Sequence, residues 1–516
     1  MKLIKKSFLL LWMFLIIVVF VFWALIQFIK PESVKELLNK QITSLTGQDS
    51  RIDGDIHWQL FPRPGIKVTN IQIGESKQKA YYFLFIDNLH LNLQLTPLMK
   101  GKLIFNEINV DGFTANINPE IAATPQPDKT STKHAPSETK SSSQFMTRFA
   151  IDTLLLTHGQ LIITDHQNHI ALTDLQIGVD QLNLNNHYFS IQLKGNIAGS
   201  LLNNQVNATL NFKGKTRLTT EALTHPQSIM QNLSLDGQLF LQNLQFNQFK
   251  IGKINANAMS KSGEITLNPL NLSLYEGEAI GHLNYRMTSK AFTLSQTATG
   301  LNAKQLLNDL TGNNLLKGKL DFSLHASGNL SEPNWQNRLQ AKGNVTIKDG
   351  FLNFADIKKL VNHIAETIDL LMTQKSFDAS LASLLDNMNL AAYQEGKTKF
   401  QLLSIQYDLK HDLLFNDSLL LQAEQLQVKG YGQIDLNNLS IANELLIKLL
   451  TSDKTINKIQ ELFDNGLPFK LSGKMSMPMI YPDLRKISPV ISTYLLKKSF
   501  DKPLKKLQKG LEEWLR

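Results

Sequence analysis

The chain has 516 residues, no cysteine and a formal net charge of +9. Without cysteine there is no disulfide framework, thiolate metal site or cysteine nucleophile, and the length exceeds one ordinary core, which points to several domains or one elongated, repetitive body. The charge does not describe a nucleic-acid binder: residues 1–30 carry +4 and residues 485–516 carry +6, so the body between them sums to −1 and has no excess of base for a basic stripe.

In chain order, Phe8 to Ile29 is uncharged. At about 1.5 Å per residue it is long enough to cross a hydrocarbon core of roughly 30 Å. A cleaved signal peptide is the rival reading, but such apolar cores usually run only about 7–15 residues and end at small residues, whereas this one ends Gln-Phe-Ile-Lys-Pro. Lys2, Lys5 and Lys6 precede the span, and Lys30 and Lys35 after it are offset by Glu32 and Glu36. This bias predicts a single-pass anchor with a cytoplasmic N-terminus and everything from Pro31 onward across the membrane.

PESVKELLNKQITSLTG, from Pro31, has helical spacing, with apolar residues at Val34, Leu37, Leu38, Ile42 and Leu45. From Ile52 the period becomes two: Ile52, Gly54, Ile56, Trp58 and Leu60 alternate with Asp53, Asp55, His57 and Gln59. A corner at Pro62–Gly65 reverses the chain, and Ile66 and Val68 resume before a one-residue shift to Ile71 and Ile73 that has the form of a bulge. The same grammar recurs in DNLHLNLQL from Asp87, DLQIGVDQLNLN from Asp174, VNATLNFKG from Val206, LSLDGQLFLQNLQF from Leu233 and ITLNPLNLSL from Ile265. Many short one-sided strands predict antiparallel meanders; about 350 residues at roughly 12 per strand would give on the order of 29.

Two stretches interrupt this pattern. Residues 119–145 are rich in Pro, Ser, Thr and Lys and read as a disordered linker. From Ala355, Ile357, Leu360, Val361, Ile364, Ile368 and Leu371 recur at three- and four-residue steps, which predicts helix until strand patterning returns at Gly396. The expected organisation is an anchor over 1–30, an N-terminal β module over 31–118, the linker, a central β body over 146–354, a helical insert over 355–395, a C-terminal β module over 396–484 and a basic tail over 485–516. In that tail Leu504, Leu507, Leu511 and Trp514 form a stripe opposite Lys502, Lys505, Lys506 and Lys509, an amphipathic helix suited to an anionic membrane surface, to a partner or to capping the β body. With Lys5 and Lys6, the stripe supplies the candidate membrane-interface residues.

Catalytic motifs are missing: there is no nucleophile elbow, phosphate loop, His-Glu-x-x-His or dinucleotide fingerprint. The two histidines of Asp165-His166-Gln167-Asn168-His169 could share a metal, but the segment falls between two alternating runs and reads as a polar hairpin turn. No catalytic residue, metal or cofactor is assigned, and an enzyme is not expected. The apolar strand faces remain; period two is needed by a sealed core and by an open trough, and the pattern alone favours the sealed core.

Seven ordered stretches carry a resemblance: GDIHWQLFPRPGIKVTNIQIG from Gly54, LYEG from Leu274, LNAKQLLNDLTGNNLLKGKLDFSLHASG from Leu301, GNVTIKDGFLNFADI from Gly343, GKTKF from Gly396, LQVKGYGQIDL from Leu426 and LPFKLSGKMSMPMIYPDL from Leu467. In these the chain resembles the AsmA family of bacterial envelope proteins, departing from it at Glu276, where a small residue is common. The resemblance implies an inner-membrane anchor and a periplasmic body related to bridge-like lipid-transfer proteins. It also implies a mainly β fold, an elongated antiparallel repeating β-groove with a chorein-like N-terminal module and a few peripheral helices. The implied role is phospholipid transport to the outer membrane or upkeep of its composition, with membrane phospholipids and an envelope protein as partners; a scaffold for outer-membrane protein assembly is the alternative. On this reading Ile56, Trp58, Ile66, Val68, Leu89, Leu91, Leu93 and Leu95 are the candidate groove residues.

Overall fold

The computed structural model describes residues 31–46, 48–59, 65–74, 82–94, 105–117, 150–165, 168–219, 234–331, 338–373 and 395–498. The anchor segment with Lys5 and Lys6, Leu95, the 119–145 segment and the tail residues Leu504, Leu507, Leu511 and Trp514 lie outside them. Among the described residues, no helix is long and apolar enough to cross a membrane.

The fold is mainly β, with 22 strands among the described residues and few helices. That is fewer than the roughly 29 expected, because many strands run past the 12 residues assumed for strand and turn together: 15 in Ala150–Thr164, 14 in Asn204–Arg217. The chain divides into two units, residues 1–247 with 253–266, and residues 248–252 with 267–516.

The first unit opens with helix α1 (Pro31–Thr46). Proline suits a first helical position, where no N–H is needed, and the Glu36–Lys40 pair closes one turn at 3.0 Å. Leu38 and Ile42, four residues apart, pack onto the strands that follow. Strands β1 (Ser50–Ile52) and β2 (Ile56–Gln59) both pair with β3 (Gly65–Ile73), Ile52 opposite Ile71 and Ile56 opposite Val68. Between those registers Asp53, Gly54 and Asp55 face only Thr69 and Asn70, so a bulge lies at the expected shift, with its extra residue on the β1–β2 side rather than in β3. It is closed by Asp53 N–H to Asn70 O (3.0 Å) and Thr69 N–H to Asp55 O (3.2 Å), with Asn70 at φ 52°.

β4 (Tyr82–Leu93) and β5 (Phe105–Ile117) continue the antiparallel ladder, but β5 and β6 (Ala150–Thr164) are parallel. A parallel pair needs a connection of about a dozen residues or more to bring the chain back, and residues 118–149 are that connection. Antiparallel pairing resumes with β7 (His169–Asn183), β8 (Phe189–Leu201), β9 (Asn204–Arg217) and β10 (Ser234–Phe246). β11 (Phe249–Lys261) and β12 (Glu264–Leu274) carry the chain into the second unit.

The second unit is a run of antiparallel neighbours: β13 (Gly277–Arg286), β14 (Ala291–Asn302), β15 (Leu316–Asn329), β16 (Gln340–Leu352), β17 (Thr398–Lys410), β18 (Leu413–Gln422), β19 (Leu426–Asp435), β20 (Ser440–Leu449), β21 (Leu467–Lys474) and β22 (Met477–Pro482). Helix α2 (Ala303–Thr311) follows β14, α3 (Ile357–Thr373) follows β16, α4 (Lys454–Glu461) follows β20, and a last helix, α5, covers 484–498. The six periodic residues that predicted α3, from Ile357 to Leu371, are all buried. They pack with Phe400, Ile447, Leu467 and Phe469 of the strands, Ile459 of α4 and Ile487 of α5 in one core. Gln460 ties α4 to the sheet, accepting from Leu449 N–H (2.6 Å) and donating to Leu449 O (3.2 Å).

Candidate functional site: an apolar trough in the second unit

The inward residues of β14 to β22 line a cavity of about 750 Å³. Laid flat at about 4.8 Å per neighbour, those strands would put first and last roughly 38 Å apart. Here Phe292 of β14 and Ile480 of β22 line the same space, so this stretch of sheet is rolled about it. None of the lining side chains is charged, and the polar ones are Thr311, Asn313 and Tyr407. The cavity is continuous with the α3 core: Ile357, Leu320, Ile347, Leu403, Leu421 and Ile480 are among the residues that belong to both. Further along, Phe322, Leu324, Ile405, Leu419, Ile434 and Ile441 are only half-buried, so this part of the wall is left partly open, although Phe322, Ile405 and Leu419 also touch the core.

Tyr407 is the polar exception within the wall. Its hydroxyl donates to Ser323 O at 2.9 Å, and burial pushes the phenol up to about 12. Gly343 makes room for it: a Cβ there would stand 2.8 Å from the hydroxyl and 1.9 Å from the same Ser323 oxygen. α2 lies over the trough, with Leu306 and Leu307 among its lining residues. Asn302 caps its start, accepting from Gln305 N–H at 3.4 Å, and Gly312, at φ 75°, closes its end with an N–H to Asn308 O at 2.8 Å. Glu276, the departure from the family pattern, accepts from Asn302 (3.2 Å) and Gln305 (2.6 Å), so its carboxylate holds the start of α2.

A second cleft, about 660 Å³, lies between β18–β20 and the α4–β21 and α5 segments, with Leu420 and Leu446 beside Tyr431, Glu444 and Lys486. Lys486 reaches Glu444 at 2.7 Å, Tyr431 donates to the same carboxylate, and together they hold Glu444 below its ordinary range.

The candidate groove residues of the N-terminal hairpin sit elsewhere, in the first unit. Ile56, Ile66, Val68 and Leu91 are buried, Val68 completely, and with half-buried Trp58 and Leu89 they pack into one cluster against Leu38 and Ile42 of α1. Leu93 lies on β4, but its side chain is outside the description. These side chains therefore build a core, while the half-buried apolar wall lies on strands of the second unit that supplied none of the candidate groove residues. Of the Asp165–His169 segment between β6 and β7, His166 and Gln167 lie outside the described residues; Asp165 accepts from the N–H of Asn168 (2.7 Å), and His169 bonds Thr164 (3.1 Å). Among the described residues no cluster of acids and histidines is arranged to hold a metal.

The AsmA family model matches residues 1–251 and 230–411. Protein AsmA of Escherichia coli K12 is 21% identical over 100 residues, 19% of this chain and 16% of that protein, so the match spans a small part of the relative's length. No solved structure matches.

Proposed function

Because the chain belongs to the AsmA family, which is associated with the bacterial envelope, we propose that it shields phospholipid acyl chains in the trough of its second unit and so supports lipid transport to, or homeostasis of, the outer membrane. In this reading the Phe8–Ile29 span anchors it in the inner membrane and the body is periplasmic. The observation that carries the proposal is the uncharged, half-buried wall around about 750 Å³. A hydrocarbon chain leaving a bilayer for such a wall exchanges one apolar surrounding for another at little cost. A phosphate cannot follow, since burying an unpaired charge is prohibitive, so the head group stays at the solvated margin. Nothing in this needs a cofactor; direction comes from the lipid source and sink or from a partner.

The test is native mass spectrometry of the full chain released from membranes in a mild detergent. Phospholipid is expected on the wild type and on Gln406→Asp, an exposed position of β17, and is expected to be lost from Val345→Asp/Ile405→Asp, whose carboxylates would enter the trough. Equal lipid on both variants sinks the reading. A chain that carries no lipid but crosslinks to an outer-membrane protein client is a scaffold instead.

A further inference from the structure

We propose that α2 and the loop after it are a strap across the trough, and that the seam where the strap meets the β21–β22 turn is where acyl chains pass in and out sideways. The inference rests on the lipid reading and adds a route to it. The strap is fastened very differently at its two sides. At its root, Asn302 N–H donates to Tyr275 O (2.7 Å), Asn302 and Gln305 both reach Glu276, and Tyr275, itself 8% exposed, donates its hydroxyl to Asp309 (2.9 Å). The returning chain is held too, Asn353 bonding Asn314 O and Leu315 O, each at 2.8 Å.

Across the trough the fastening is slight. Asn313 Nδ2 donates to Ser476 O at 3.0 Å, a neutral, solvent-exposed bond between residues 163 apart in sequence. Such bonds contribute little net stability because water replaces them readily. Both sides of the seam are apolar beneath: Leu306, Leu307 and Leu315 on the strap, Met475 and Pro478 beside the turn, all lining the trough. Parting Asn313 from Ser476 therefore opens hydrocarbon wall to the side, while the bonds at Tyr275 and Glu276 keep α2 attached as a hinged unit.

The chain contains no cysteine, so Asn313→Cys/Ser476→Cys gives a unique pair that a short bis-maleimide can join. Uptake is read as pyrene-labelled phosphatidylglycerol taken by the full chain from vesicles of phosphatidylethanolamine and phosphatidylglycerol. Joining the cysteines is expected to slow uptake on the order of tenfold or more relative to the same variant unjoined, as a closed lid does, and to slow release when the join is made after loading. Asn313→Ala is expected to load about two- to tenfold faster, the range one weak hydrogen bond spans. Equal uptake by joined and unjoined protein, with unchanged thermal unfolding, overturns the strap while leaving the lipid reading in place. No uptake even by wild type overturns both.

Discussion

Tyr407 sets a hydroxyl in a wall otherwise made of hydrocarbon, and the consequence is measurable in alkali. The phenol is raised from 10.0 to about 12 by burial. Tyr275 is raised to about 12 as well, by burial first and then by its bond to Asp309. A folded-state value above the unfolded one means that the fold holds the proton more tightly, so the stabilisation is complete below about pH 10 and drains away as pH rises towards 12. Urea midpoints measured across that window should fall for the wild type and fall less steeply for Tyr407→Phe; parallel slopes would mean that the phenol is not held as described. Gly343 gives the steric counterpart. Its Ala variant must move either Ser323 O or the strand, and is expected to lose roughly 1–3 kcal/mol in urea unfolding. The contact itself was not legible in the sequence: Tyr407 stands in SIQYDL and Gly343 opens GNVTIKDGFLNFADI, and neither points to the other until β15, β16 and β17 are laid side by side.

Elements were legible to the extent that one face of each was wet. α3 could be read from Ile357 to Leu371 because three- and four-residue steps leave a single stripe to bury, and the stripe is buried. Ile364, 1% exposed in the middle of that core, makes the reading quantitative: Ile364→Ala should cost roughly 2–5 kcal/mol in chemical unfolding, and a loss under 1 kcal/mol would place α3 outside the cooperative core. The β1–β3 bulge was legible too, since a one-residue phase change is visible in a period of two. The parallel β5–β6 pair was not, because inward and outward residues alternate the same way in either direction and the turning is done by residues 118–149. Strand β22 shows what the alternation leaves out. The bond from Asp483 N–H to Pro468 O fixes the phase of the β21–β22 ladder and turns the backbone of residues 478, 480 and 482 away from β21. Two of these are proline, which cannot donate and so blunts that side of the strand against pairing.

At the scale of the chain, the N-terminal strands and the trough strands answer the same apolar alternation in different ways. In the first, Val68 is completely covered because α1 and the neighbouring strands close over it; in the second, Ile405 is half open because strands β14 to β22 roll around a space instead of filling it. IKV and SIQ carry no local mark of that difference, which depends on what lies opposite rather than on the strand itself. For this reason the hairpin at Ile56–Val68 and the trough at Ile405 could not be told apart by period. They can be told apart by a guest. A phosphatidylglycerol with a photoreactive diazirine near the end of one acyl chain, loaded from vesicles and activated by light, should attach to peptides of β14 to β22, with Ile405, Leu419 and Ile434 among the labelled positions. The β2–β4 peptides should stay unlabelled, since a filled core offers the diazirine no room. Labelling at Ile66 or Val68 in natively folded protein would show that the N-terminal hairpin opens to lipid, and its reading as a filled core would have to be abandoned.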